Sequence, residues 1–201
     1  MLASAVGEGV QVSESEAVRP GDEGTGCMTA PEEPVYIVPY DESWPVRFQE
    51  EQAVLQDVIG QWIAGSIEHV GSTAVPGLAA KPVIDIMAGV ESLEKSRAAI
   101  PVLSEVGYCY FPYRPDSMHW FCKPSPSVRT HHLHLVPLDS RLWIERVAFR
   151  DYLRMHADVA EEYADLKKHL AAQLRFDREA YTDAKTSFVD SIVKLALEEK
   201  R

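Results

Sequence analysis

The stretch from Ile67 to Met87, IEHVGSTAVPGLAAKPVIDIM, constrains the fold more than any other part of the chain. Ile67 to Val70 is apolar enough for a buried strand. Gly71-Ser72-Thr73 is a turn of small residues able to cap a helix, and Pro76-Gly77 breaks any long helical run. Val83 to Met87 returns as a β-branched strand. Alternation places Val83, Asp85 and Met87 on one face and Ile84 and Ile86 on the other. A carboxylate inside such a strand is costly to bury unless it is ion-paired or holds a metal. Asp85 is therefore a candidate metal ligand, with an ion pair to Lys81 or an arginine as its structural alternative. Backbone N–H groups in a small-residue turn bind phosphate, which makes Gly71, Ser72 and Thr73 candidate phosphate contacts.

Charge narrows the class of ligand. The 201 residues carry a formal net charge of −11, and much of it is local: residues 1–33 hold seven acids and one base. That segment is rich in Gly, Ser, Glu and Ala without periodicity and reads as a disordered acidic leader, or as an over-long gene start with Met28 as the internal beginning. Residues 34–201 read as a single domain. Its mild acidity argues against an extended nucleic acid or an anionic membrane as partner. Cys27, Cys109 and Cys122 form no C-x-x-C pair and read as reduced thiols of a cytoplasmic protein. With no signal-peptide pattern and no run of about 18 apolar residues, neither secretion nor a membrane span is expected.

Along the domain, Val35–Val38 reads as a short strand and Ser43 as the cap of a helix from Trp44 to Ile63 that Gly65 ends. Residues 91–105 read as a helix made irregular by Pro101. A hairpin is expected from Gly107–Phe111 and Met118–Cys122, and a strand from Thr130 to Val136. Three helices follow: Arg141–Met155, Asp158–Leu174 and Asp177–Lys200. Strands before residue 137 and helices after it make an α+β fold, a mixed sheet flanked by helices with a helical C-terminal section.

Other candidates follow from spacing. His132 and His134, two apart on a strand, share a face, whereas His131 points the other way. The pair suits metal when neutral, or phosphate when protonated. Lys81, held extended by Pro82, and Arg129, beside the histidines, are candidate phosphate-binding cations. From the helical section come Arg150, Lys167 and Lys185. Lys167 lies one turn from Tyr163, and Lys185 one turn from Tyr181.

Gly71-Ser72, twelve residues, then Asp85 on a strand resembles the signature of the nucleotidyltransferase superfamily. The longer text EHVGSTAVPGLAAKPVIDI, with RTHHLHLV, FRDYLR and YTDAK further on, resembles the GrpB family (UPF0157) within it, over about residues 35–197. The resemblance implies a nucleotidyltransferase-like domain using ATP or another nucleoside triphosphate with Mg2+ or Mn2+ at Asp85. Ser72 would hold phosphates, Lys185 and Arg150 the remaining phosphate charge, and the acceptor would be a small molecule. Asp85, His132 and His134 are then the candidate catalytic residues. Superfamily members usually place a second acid two residues after the first, and here that residue is Met87. Two alternatives accompany this reading: an ATP-dependent ligase that couples a carboxylate to an amine through an adenylate, and a non-catalytic nucleotide- or CoA-related binding module, since GrpB-like domains occur fused to dephospho-CoA kinase.

Overall fold

The computed structural model describes residues 33–199. The leader expected over residues 1–33 therefore lies outside the described residues, apart from Glu33. The chain runs through α1 (Trp44–Ile59), β1 (Ile63–Val70), β2 (Ile84–Val90), α2 (Leu93–Ser96), α3 (Ala99–Glu105), β3 (Cys109–Phe111), β4 (His119–Pro124) and β5 (Arg129–Pro137). Four helices follow: α4 (Arg141–Met155), α5 (Ala157–Gln173), α6 (Arg178–Asp183) and α7 (Thr186–Glu199). The strands form one sheet in the order β1-β2-β5-β4-β3. β2 and β5 are parallel and the other pairs antiparallel. A parallel pair needs a crossover, and residues 91–128, with α2, α3 and the β3–β4 hairpin, supply it.

The two sheet faces bury different partners. On one, Trp44, Leu55 and Ile59 of α1 and Leu103 of α3 pack with Ile84, Ile86, Phe121, Leu133 and Leu135, all fully buried. Each such side chain contributes about 1.5–3 kcal/mol relative to exposure. On the other, Trp143 of α4 packs with Val70, Met87, Met118 and Val136. The helical section closes on the loop after β1, where Val75 and Leu78 meet Phe149, Leu153, Tyr163, Ile192 and Val193. That clamp holds the small-residue turn against the sheet. Among the described residues no helix is long and apolar enough to cross a membrane.

The α+β class, the mixed sheet and the helical C-terminal section stand as the sequence implies, and several boundaries differ. Val35–Val38 is no strand; its sheet-like contact is the bridge of Val38 to Ala80. Ser43 precedes α1 without a side-chain cap bond; Asp41 Oδ1 instead accepts from the Ser43 N–H at 2.8 Å. The first helix ends at Ile59, a 3-10 turn covers Gly60–Trp62, and Gly65 lies inside β1 rather than ending a helix. A Cβ at Gly65 would come within 2.8 Å of Leu138 Cδ1, so this glycine serves strand packing. The helix expected over 91–105 is two, with Pro101 in the first turn of the second, where its missing N–H costs nothing. The last expected helix is also two, separated at Ala184 and Lys185.

Candidate functional site

The parallel register of β2 and β5 sets Asp85 opposite His132 and Met87 opposite His134, on the face covered by α4. His132 Nδ1–H donates to Asp85 Oδ1 at 2.9 Å. Both remain partly open, Asp85 with 31% and His132 with 19% of its side chain exposed. Burial alone would raise the Asp85 carboxyl. The hydrogen bond and charge of His132, with Arg146 beyond it, outweigh that and hold it down at about 2. The other nitrogen of His132, Nε2, is buried with no hydrogen-bond partner among the described residues.

Gly71 brings the turn onto this pair. Its φ of +71° and ψ of −170° lie in a region that L side chains rarely adopt. A Cβ there would stand 2.4 Å from Asp85 Oδ2, so only glycine lets the backbone approach the carboxylate so closely. Ser72 and Thr73 then turn away through a short 3-10 segment, Ser72–Ala74. Ser72 lies beside Tyr163, whose phenol desolvation pushes up to about 12. Tyr163 is itself packed edge-on against Phe149 and stacked on Phe188.

Two cations from separate elements interact with Asp85. Lys185, at the α6–α7 junction, lies with Nζ 4.1 Å from the Tyr181 ring centre. Desolvation lowers it to about 8 against the pull of Asp85, and the charges of Arg146 and Lys81 add to the lowering. Sequence reasoning missed Arg146. It lies on the exposed side of α4 one turn before Arg150, and its charge is felt at Asp85, His134, Tyr163 and Lys185. The four-residue spacing to Arg150 was the available signal, but a single arginine on a solvated helix face carries no pattern of its own.

Not every expected phosphate contact is available. Thr73 is 1% exposed; its hydroxyl donates to the Val83 carbonyl at 3.0 Å and accepts from His69 Nε2 at 3.0 Å. It pins the turn to Val83, the residue before β2. Arg150 is buried and reaches back to β1, donating to Glu68 Oε2 at 2.6 Å and the His69 carbonyl at 3.0 Å, with Asp151 beside it. It fastens α4 to the sheet, with its donors engaged by Glu68, Asp151 and the His69 carbonyl. Lys167, 2% exposed, donates to the Ala79 carbonyl at 2.6 Å, and burial lowers it to about 7. It holds the loop from inside instead of presenting a charge. Arg129 donates from Nε to the Pro126 carbonyl at 2.8 Å and lies over the Trp120 ring. His134 is held neutral, its pKa lowered to about 3 by desolvation and then by Arg146, with Nδ1 3.3 Å from Met118 Sδ. His134 therefore offers no charge to a phosphate at neutral pH, while His132 stays bonded to Asp85.

The donor set does not fit a metal held by the protein alone. Met87 is 1% exposed within the α4-facing core, so it leaves Asp85 without a second ligand on its strand. Among the described residues no three His, Cys, Asp or Glu side chains are placed to hold an ion, and the charges nearest Asp85 are cations. What the arrangement offers is an Asp85–His132 pair approached by the Gly71 turn, with Arg146 and Lys185 interacting electrostatically with Asp85.

The sequence profile described as GrpB protein matches residues 34–195. The chain is 37% identical over 164 residues, 79% of its length and 94% of the relative's, to the glutamate-rich protein GrpB of Alkalihalophilus pseudofirmus. The crystal structure of the conserved protein GrpB from Enterococcus faecalis superposes with a TM-score of 0.76 at 33% identity, covering 82% of this chain and 99% of that one. A shorter match, 42% identity over 78 residues, joins 37% of this chain to 19% of a dephospho-CoA kinase of Mycolicibacterium paratuberculosis.

Proposed function

The chain belongs to the GrpB family, and from that premise we propose that it binds a nucleoside triphosphate at the Gly71–Ser72 turn and transfers the nucleotidyl group to a small-molecule acceptor. The observation that carries this reading is the electrostatic interaction of Arg146 of α4 and Lys185 of the α6–α7 junction with Asp85, the carboxylate that the Gly71 turn approaches. The turn and the Ser72 hydroxyl take a phosphate. Arg146 and Lys185 balance charge that develops on the phosphoryl oxygens, and a preorganised site makes such balance effective. Asp85 fixes the ring of His132 by accepting from Nδ1, which sets the orientation of the imidazole beside the turn. Mg2+ or Mn2+ enters on the triphosphate as part of the substrate, and ATP is the first nucleotide to try.

The test is incubation with each nucleoside triphosphate and Mg2+ or Mn2+, following pyrophosphate. Release of pyrophosphate with the nucleotide retained on a product supports transfer. Release of AMP together with a new amide supports the adenylating ligase instead. Met87 and the partial match to a dephospho-CoA kinase favour a second reading, a nucleotide- or CoA-related binding module without turnover. Saturable binding with no release of pyrophosphate or AMP selects it.

A further inference from the structure

The strand register lines up four chemistry-bearing residues in one row across the sheet. Asp85 of β2 is opposite His132 of β5, His132 is opposite Cys122 of β4, and Cys122 is opposite Cys109 of the edge strand β3. Opposed residues share a face of the sheet, so both thiols lie on the face that carries the Asp85–His132 pair. The proposed transfer uses neither of them. Cys122 is fully buried, whereas Cys109 is half-buried, with Sγ 3.7 Å from the Pro124 carbonyl. Among the described residues no three His, Cys, Asp or Glu side chains are placed to hold an ion, so the two thiols are not part of a metal site.

We propose that Cys109 and Cys122 form a reversible oxidation site, joined by an intrachain disulfide across the β3–β4 pair, with a low-molecular-weight disulfide as the oxidant. The inference stands independently of the proposed function. Directly opposed residues of an antiparallel pair have Cα atoms about 4.5 or 5.5 Å apart, and both distances fall inside the span of about 4.4–6.8 Å found in disulfides. Their Cβ atoms need to close by about 1 Å. β3 is three residues long, stands at the end of the strand order and pairs with β4, so the edge strand can supply that movement. Accessibility sets the order of events. The thiolate of Cys109 attacks one sulfur of the oxidant. That step forms a mixed disulfide and expels the oxidant's other half, which takes up the Cys109 proton. The Cys122 sulfur then attacks the Cys109 sulfur, forming the protein disulfide and expelling the second half with the Cys122 proton. Two protein thiols are oxidised, one external disulfide is reduced to two thiols, and no other reactant enters. Cys122, being buried, completes the bond and does not start it. In a reducing compartment such a bond is transient.

The experiment is incubation of the full, folded chain with oxidised glutathione. The oxidant is removed, the remaining thiols are blocked with N-ethylmaleimide in denaturant, and linked peptides are mapped after chymotryptic cleavage at Tyr110, Tyr113 and Trp120, which lie between the two cysteines. The expected result is loss of two of the three thiols per chain, with Cys109 linked to Cys122 in a chain of monomeric mass and both thiols recovered by dithiothreitol. Cys122→Ala stops at a glutathione adduct on Cys109, and Cys109→Ala leaves Cys122 a thiol. Should Cys122→Ala fail to fold, the peptide map of the parent carries the test. A lasting glutathione adduct on Cys109 of the parent, with Cys122 still a thiol, overturns the proposal. Links made only through Cys27 or only between chains also overturn it, as does a parent in which neither Cys109 nor Cys122 is oxidised.

Discussion

Gly71→Ala puts a methyl group where the structure has no room, and the cost divides into two parts. The φ of +71° with ψ near 180° is a glycine conformation, and holding an L residue there costs about 1–3 kcal/mol. The added Cβ would stand 2.4 Å from Asp85 Oδ2 and 3.0 Å from Asp85 Cβ and Cγ, so Asp85 must leave its bond to His132. A hydrogen bond to a charged group contributes about 1.5–3 kcal/mol. The sum is roughly 2.5–6 kcal/mol, a large share of the 5–15 kcal/mol typical of a folded domain. Gly77 is the internal control: its φ is +78°, but a Cβ there meets nothing within 4 Å. Gly77→Ala therefore carries the backbone cost alone. Urea unfolding of both variants should separate them by about 1.5–3 kcal/mol. Removing the clash with Asp85→Gly should make the Gly71→Ala substitution cost about as much as Gly77→Ala. Equal losses for the two glycines in the parent background would refute the argument that Gly71 is required by its approach to Asp85.

Arg150→Ala leaves Glu68 and the His69 carbonyl without their partner in a buried setting and should destabilise by about 3–5 kcal/mol. Any loss of nucleotide affinity should vanish once variants are compared at equal folded fraction, whereas a specific affinity loss would return Arg150 to the phosphate site. His69 and His134 are lowered to about 4 and about 3 from 6.5, by desolvation first. The unfolded chain therefore takes up protons that the fold refuses. Their contribution is full above about pH 6.5 and is lost as pH falls toward 3–4. Urea midpoints at pH 7 and 4.5 should differ less for His69→Gln and His134→Gln than for the parent. Lys167, lowered to about 7 from 10.5 by burial and then by its lysine neighbours, adds a penalty that is full below pH 7 and relieved as pH rises toward 10.5. Thermal unfolding of Lys167→Met should show a flatter rise over that window, and an unchanged slope would contradict a buried amine.

The parts of the fold and site that could be read from sequence are those governed by a short period. Alternation along two strands placed Asp85 with Met87 and His132 with His134, and the register confirms that these faces coincide. The Arg141–Met155 helix was bounded correctly, with Ser140 accepting from Trp143 N–H as its cap. The first helix ends sooner than its spacing implies, because Ile59, Trp62 and Ile63 continue the helical spacing while the chain has already passed through a 3-10 turn into β1. Roles that depend on distant backbone were not legible. The donors of Thr73, Lys167 and Arg150 are consumed by the Val83, Ala79 and His69 carbonyls, 10, 88 and 81 residues away. Arg146 joins the site because α4 crosses the sheet beside β5, a packing that no local spacing encodes.

Arg146 and Lys185 bear the central claim most directly, since they come from different elements and each interacts with Asp85. The measurement is the affinity of MgATP and of adenosine for the parent, Arg146→Ala, Lys185→Ala and the double variant, at fixed ionic strength and pH 7. A phosphate site beside Asp85 predicts that each single change weakens ATP by about tenfold, as expected for a charge-assisted contact of about 1.5 kcal/mol, with adenosine unchanged. ATP binding by the double variant equal to that of the parent would show that these two cations do not hold the phosphates.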